Sequence, residues 1–451
     1  MTAIRTIAAI RFGFGLPLPA GAPDTADAML VRLAGPDIAA QDWPIGGLEQ
    51  AAPLLIALKS IKKEGKSDAA QAGRRDDLLT QIAEVTYAAR IATFGRILDA
   101  PDGFRERLVS FWANHFSVVA RNPAETFMPF ALVEDAIRPH LTARFSDLLA
   151  AVTLHPAMLL YLDQSASVGP NSGLGKKQSK GLNENLAREV IELHSLGVDA
   201  GYAQDDVRQM AELLTGLVYQ VDAGTVFLPR RAEPGPETVL GKTYQGEGLA
   251  MIREALGDLG KRPETAVHIA KKLVVHFISD HPDPDLVAAV AAAFVATDGD
   301  LMAVYTALLS HPAAWQDQME KIRQPFDFIL VSARALGLSG KMVQNLNYRP
   351  FQRIFLKSMQ AMGQPFKAPN GPNGFPEAAD AWITPQALAS RITWAMQEPQ
   401  QLLDVLPDPV AMAQSCLADR ASPALLLAVS RSEDIREGVG LILASAEFNR
   451  R

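Results

Sequence analysis

Cysteine is almost absent. The chain has 451 residues and a single thiol, Cys416. That excludes an internal disulfide and any zinc site built on paired thiolates. Cys416 reads as a small apolar filler. Charge of one sign is lacking too: 43 Lys and Arg stand against 50 Asp and Glu, for a formal net charge of −7. A mildly acidic chain carries no global electrostatic footprint for nucleic acid. No apolar run approaches the length of a membrane span. The first segment, MTAIRTIAAIRFGFGLPLPAG, is interrupted by Arg5 and Arg11. A secretory signal needs a longer uninterrupted apolar stretch. The segment is expected to form the first short helix of the fold, and a cytoplasmic location is expected with it.

Several catalytic signatures are missing as well. There is no His-Glu-x-x-His and no Gly-x-Ser-x-Gly. GPNSGLGKK at 169–177 fails as a phosphate loop, because its glycines are wrongly spaced and Lys177 stands where Ser or Thr belongs. It reads as a basic loop.

What is present is helical periodicity. Amphipathic helices are expected over 26–34, 47–62 and 65–100, then over 104–119, 126–139 and 144–152. Further helices are expected over 183–196, 204–218, 247–257, 263–279, 284–296, 300–309, 313–337 and 350–362. The chain is expected to close with helices over 386–397, 408–417, 422–430 and 434–446. One small β-hairpin is expected near 224–244, where β-branched residues flank a Pro/Gly turn. Residues 163–182 and 364–385 read as two long loops, rich in Gly, Pro, Asn and Ser. The fold class is therefore all-α, a large multi-helix array. No composition shift marks a boundary, so 1–451 reads as one domain, with 1–100, 101–320 and 321–451 as sub-lobes. His155 and His311 each precede Pro-Ala and read as turns with Pro opening the next helix.

Two helices carry polar groups in apolar company. At 100° per residue, His115 falls in the middle of the stripe Phe104, Leu108, Phe111, Trp112, Val118. Glu189 falls within the stripe Leu182, Leu186, Val190, Leu193, Leu196. Asn185 and Glu192 flank that stripe on one side, Asn183 and His194 on the other, and Ser195 points away. A carboxylate on a core face costs several kcal/mol unless it is paired, hydrogen-bonded or metal-bound. Glu189 must find a partner or keep its proton. The structural reading of Glu189 is a clamp on an Arg or a helix end; the functional one is a general base or a metal ligand. Imidazole and carboxylate without thiol suit a divalent metal such as Mg, Mn, Fe or Zn. His268 and His276 fall outside or at the edge of their stripe and read as solvated. Asp205 and Asp206 read as helix-capping carboxylates.

Phe111-Trp112-Ala113-Asn114-His115-Phe116 and the block NENLAREVIELHSLGVDAGYAQDDVRQMAELLTG at 183–216 carry a resemblance. So do HIAKKLVVHFI, KIRQPFDFILVSARALG and MGQPFKAPNGPNGFPEAADAWITP, in that order. Together they resemble the domain-of-unknown-function family numbered 1800, over nearly the whole chain. The resemblance implies a helical fold. It also implies a protein partner from a second family, numbered 1501, that is similar to sulfatases and alkaline phosphatases. Relatives carry His-Asp in the hairpin where this chain has Ala232-Glu233, and many relatives are exported.

Two functional readings follow. In the first, the chain is a helical binding or accessory protein acting with such a partner. In the second, it is a metal- or carboxylate-dependent hydrolase or transferase. Its site would gather His115 and Glu189 as catalytic groups, with Asn114, Asn183, Glu184, Glu192, His194 and Trp382 as binding groups. In that reading Asn373, Phe375 and Trp382 of the second long loop line a cleft for a sugar or peptide.

Overall fold

The computed structural model describes residues 3–63, 69–178, 181–246 and 248–451. The chain is helical nearly throughout. The expected helix starts at 65 and 247, and part of the first long loop, lie outside the described residues.

Several of the expected helices end early or break up. That at 313–337 is a 3-10 turn, Pro312–Trp315, and a separate helix, Pro325–Ala335, opened by its proline. That at 204–218 ends at Leu213, before a strand begins at Leu217. That at 350–362 passes through a π segment, Gln352–Lys357. The helix opened by Asp102, whose carboxylate accepts from the Arg105 amide, runs Gly103–His115 and stops four residues short of Val119. The chain turns at Phe116, at φ −102° and ψ 53°. This buries the Phe116 ring against Trp112 and Phe145. The expected helix at 126–139 is a sequence of α, π and 3-10 turns, Met128–Leu132, Val133–Ile137 and Arg138–His140.

One hairpin was expected and two are present. Strands β1 (Leu217–Gln220) and β2 (Gly224–Phe227) pair antiparallel with Leu217 opposite Phe227. Strands β3 (Glu237–Val239) and β4 (Lys242–Tyr244) pair with Glu237 opposite Tyr244. Leu240 and Gly241 both take positive φ, 51° and 81°, the turn geometry that closes a two-residue hairpin. A 3-10 turn at Pro229–Arg231 separates the two ribbons. The first long loop also holds structure. Gly173–Gln178 is a short helix, opened by the Ser172 hydroxyl accepting from Gly175 N. Glu233 grips Asn171 through its backbone N and its side-chain amide. His155 and His311 act alike: each Nδ1 accepts the amide of the Ala two residues on, which caps the helical turn opened by Pro.

Beside a small cluster of Ile7, Ile10 and Met319, two large hydrophobic cores form among the described residues. One is built mainly from residues between Ala8 and Ala314, the other from Phe14 and residues 91–98 and 328–448. The 31-residue helix Ala69–Asp99 enters both, with Ile82 and Ala89 in the first and Phe94 and Ile97 in the second. The N-terminal turns join them: Ile7, Ile10 and Phe12 are buried, and Arg11 donates to the carbonyls of Ala314 and Gln318.

A buried ionic network spans the junction. Arg107 Nη1 meets Asp327 at 2.7 Å, and its Nε and Nη2 donate to Gly13 O. Arg451 approaches the same carboxylate at 3.3 Å. Burial alone would raise the Asp327 pKa; Arg107 and Arg451 more than offset it, so the group stays ionised below the usual carboxylate value. Removing one partner of such a pair strands a charge in low dielectric. Asp327→Asn should therefore lower unfolding stability by about 3–5 kcal/mol, measured by denaturant titration. A change under about 1 kcal/mol would show that the pair does not join the cores.

Candidate functional site

The Asn-Glu-Asn segment begins as an α-helix, Asn185–Glu189, and continues as a π-helix, Val190–Leu196. The Ser195 hydroxyl donates to Val190 O, five residues back, at 2.6 Å. A π turn takes in an extra residue, so everything after Glu189 lags the 100° wheel. The expected directions change accordingly. His194 and Ser195 are wholly buried instead of lying on the flank and the outside. Glu189 and Leu193 are only half-buried. Gly197 ends the segment at φ 91°. A Cβ there would lie 2.7 Å from His268 Nδ1, so the position requires glycine twice over.

Glu192 and Leu193 of this segment line a cleft of about 660 Å³, which His194, Ser195 and Glu189 do not reach. One wall is the C-terminal end of Gly103–His115, giving Asn114 and His115, and another is the π segment, giving Glu192 and Leu193. The floor is the helix Pro263–Phe277, giving His268 and Lys272. The fourth wall is the second long loop, giving Asn373, Phe375 and Glu377. Asn114 fixes that loop with a two-way amide clamp: Nδ2 donates to Phe375 O at 3.0 Å and Oδ1 accepts from Phe375 N at 2.7 Å. Trp382 does not line the cleft. It is buried behind Phe375, with ring centroids 6.3 Å apart, and donates to Pro376 O.

His115 lies 6.2 Å, ring to ring, from both His194 and His268. Its Nε2 meets His194 O at 3.2 Å, and its buried Nδ1 has no partner. Neither nitrogen of His194 has one. Burial, then the charge of Lys272, depress all three imidazoles: His194 to about 3, His268 to about 4, and His115 well below its usual value. All are neutral at pH 7. Lys272 itself is half-buried, and burial brings its ammonium down to about 8 against the opposing pull of Glu377. No hydrogen bond or ion pair reaches it among the described residues.

The remaining candidates divide. Asn183 Oδ1 accepts from Asn185 N, an Asx cap on the helix start. Glu184 takes Arg188 at 3.2 Å and Gln204 at 2.8 Å, and Arg188 also meets Glu192 at 3.1 Å. These are surface clamps on one helix. Glu189 has neither hydrogen bond nor ion pair among the described residues. Burial, then Glu192, raise its carboxyl to about 7. It keeps its proton at mildly acid pH, and its neighbours are Glu192, Arg188 and Tyr161 rather than His115. Asp206 caps, as expected, by accepting from Ala203 N.

Lys272 was not singled out from the sequence, and His268 and His276 were both expected to be solvated; His268 is half-buried in the cleft floor. His276 is instead 5% exposed and bonded to Glu377 at 2.7 Å. His268, Lys272 and His276 are spaced i, i+4, i+8 and share one helix face. That spacing was the available signal. Against a divalent metal, the described residues contain no group of three or more His, Cys, Asp or Glu placed to hold one. The three imidazoles also share their space with an ammonium, which repels a cation.

This is a helical protein whose cleft is lined by two imidazoles, two lysines and four carboxylates. The family model described as "Protein of unknown function (DUF1800)" matches residues 10–450, and the chain belongs to that family. No curated protein and no solved structure matches it. No helix among the described residues is long and apolar enough to cross a membrane.

Acid pH should expose the buried imidazoles. A folded pKa below the ordinary 6.5 means that the unfolded chain binds the proton first, so stability falls as pH drops below about 6.5. Each such histidine contributes a slope of about 1.4 kcal/mol per pH unit. His194→Leu should remove one proton's slope between pH 6.5 and 4 and change stability little at pH 8. An unchanged slope in urea titrations across that range would refute the assignment.

Proposed function

We propose that this chain is a binding protein in an accessory role, and that its ligand carries an oxyanion that docks on Lys272. The observation that carries this reading is the unpaired ammonium of Lys272 at the floor of an open cleft. An ammonium that makes no hydrogen bond or ion pair leaves its three donors available to a ligand. Around it, the neutral rings of His115 and His268 can each present a donor or an acceptor. Asn114, Asn373 and Glu192 add polar groups on three walls. Phe375 offers one aromatic face, suited to the apolar side of a sugar ring or an aliphatic chain. Glu192, Asp199 and Glu264 also line the cleft, which favours a ligand with one anionic end rather than a polyanion.

A sulfatase- or phosphatase-like partner, as the family resemblance implies, would release or consume molecules of this class. The accessory role is to hold such a molecule beside that partner.

A second reading rests on Glu189. A half-buried carboxyl with no partner and a pKa near 7 is suited to exchange a proton at neutral pH. In that reading Glu189 acts as a general acid or base on a substrate brought to the Asn-Glu-Asn helix, with Glu192 holding its pKa up. Carbon-13 NMR of labelled glutamate should then show a carboxyl titrating near 7 that disappears in Glu189→Gln, apart from that of Glu237, which burial and Glu212 also raise to about 7. A signal near 7 from Glu237 alone would end the second reading.

The first reading is tested by calorimetric titration with inorganic phosphate, sulfate and glucuronate. At least one should bind saturably, and Lys272→Met should weaken it tenfold or more. Affinity should fall as pH rises through about 8, where Lys272 loses its proton. The groups facing it, His115, His194 and His268, stay neutral across that range, and Glu377 stays ionised. Equal binding by wild type and Lys272→Met, or none by either, rejects the proposal.

A further inference from the structure

A second chamber lies behind the cleft. Asn114, Phe375 and Glu377 line both, so the clamped loop is the wall between them. The chamber measures about 140 Å³. Its lining is largely apolar and includes Val109, Phe116, Leu132, Ile137, Met359 and Phe366. An apolar cavity of about 150 Å³ holds a molecule the size of benzene.

Two cationic groups in this lining have donors to spare: Lys367 all of its own, and Arg451, though ion-paired to Asp327, one terminal nitrogen. Lys367 is half-buried and has no hydrogen bond or ion pair among the described residues; its ammonium stands 5.1 Å over the Phe130 ring. The acid whose charge it feels, Glu134, is already held by both terminal nitrogens of Arg96, at 2.6 and 3.0 Å. Arg451 is 1% exposed, and its Nη1 donates to nothing. Lys367 also sits in the left-handed backbone region, at φ 51°. A non-glycine residue pays strain there. A glycine would relieve it.

We infer that this chamber is a binding site for a small carboxylate with a ring-sized apolar body, its carboxylate on Lys367. The apolar lining encloses the body, and a neutral molecule of the same shape leaves the ammonium unanswered. The site uses a different cation from the cleft, and the two share only the partition formed by Asn114, Phe375 and Glu377.

Benzoate is the probe, with benzyl alcohol as its neutral counterpart. Calorimetry on the full chain should show benzoate binding at least tenfold more tightly than benzyl alcohol. Lys367→Met, which keeps the stem and loses the charge, should bring the two to equal affinity. Lys367→Gly should melt at a higher temperature than wild type, by relief of the backbone, and lose benzoate in the same way. A loss of binding in that variant therefore does not come from failed folding. Lys272→Met should leave benzoate binding unchanged. Equal affinities in wild type, no binding of either probe, or full benzoate affinity in Lys367→Met overturns the inference. Benzoate binding that disappears only in Lys272→Met overturns it too, by placing the probe in the cleft.

Discussion

The arrangement depends on one enclosed carboxylate. Asp327 opens the helix Pro325–Ala335 in the second core, and Arg107 projects to it from Gly103–His115 in the first. Neither charge can be left alone in a dry interior, so the helices that carry them are held in one relation. Arg107 is further tied to Gly13 O, which fixes the N-terminal turns against both cores. The helix bearing Arg107 ends in Asn114 and His115. The pair that joins the cores thus also places the wall of the cleft.

The second long loop is held by the same logic. Glu377 is buried, which by itself would favour its protonated form. His276, Lys321 and Arg451 surround it and hold it well below the usual carboxylate range. Lys321 is itself 1% exposed and bonds Asp280 at 2.5 Å and Glu377 O at 2.6 Å. The amide clamp from Asn114 completes the anchoring. A stretch too rich in Pro and Gly for regular structure becomes a fixed partition between two compartments, each with an unpaired ammonium.

Much of the fold was legible. Helix positions followed from apolar periodicity, and breaks followed from Pro and Gly. The errors have local causes. The Gly103–His115 helix ends where burial of Phe116 turns the chain, and a single expected hairpin divides because Leu240-Gly241 supplies a second tight turn. Less of the site was legible. The wheel put His115 on the core face, where it lies. It misplaced His194 and Ser195, because the π-helix at 190–196 rephases the segment and no composition marks it. His268 and Lys272 were missed because a periodicity test asks whether a residue lies on the apolar stripe, and these stand beside it.

By itself, the sequence determined that this is a helical chain whose single thiol makes no internal disulfide, and that His115 sits among apolar neighbours. Those properties are local: side-chain type and 3.6-residue repeats are written in each segment. Only the tertiary structure decided which polar groups meet. Asn114 bonds Phe375 across 261 positions, and Arg107 bonds Asp327 across 220. It also decided that Glu189 keeps company with Glu192 and Tyr161, while His115 gathers with His194, His268 and Lys272. Burial and ion pairing depend on distance in space, and packing sets that distance over separations that no segment encodes.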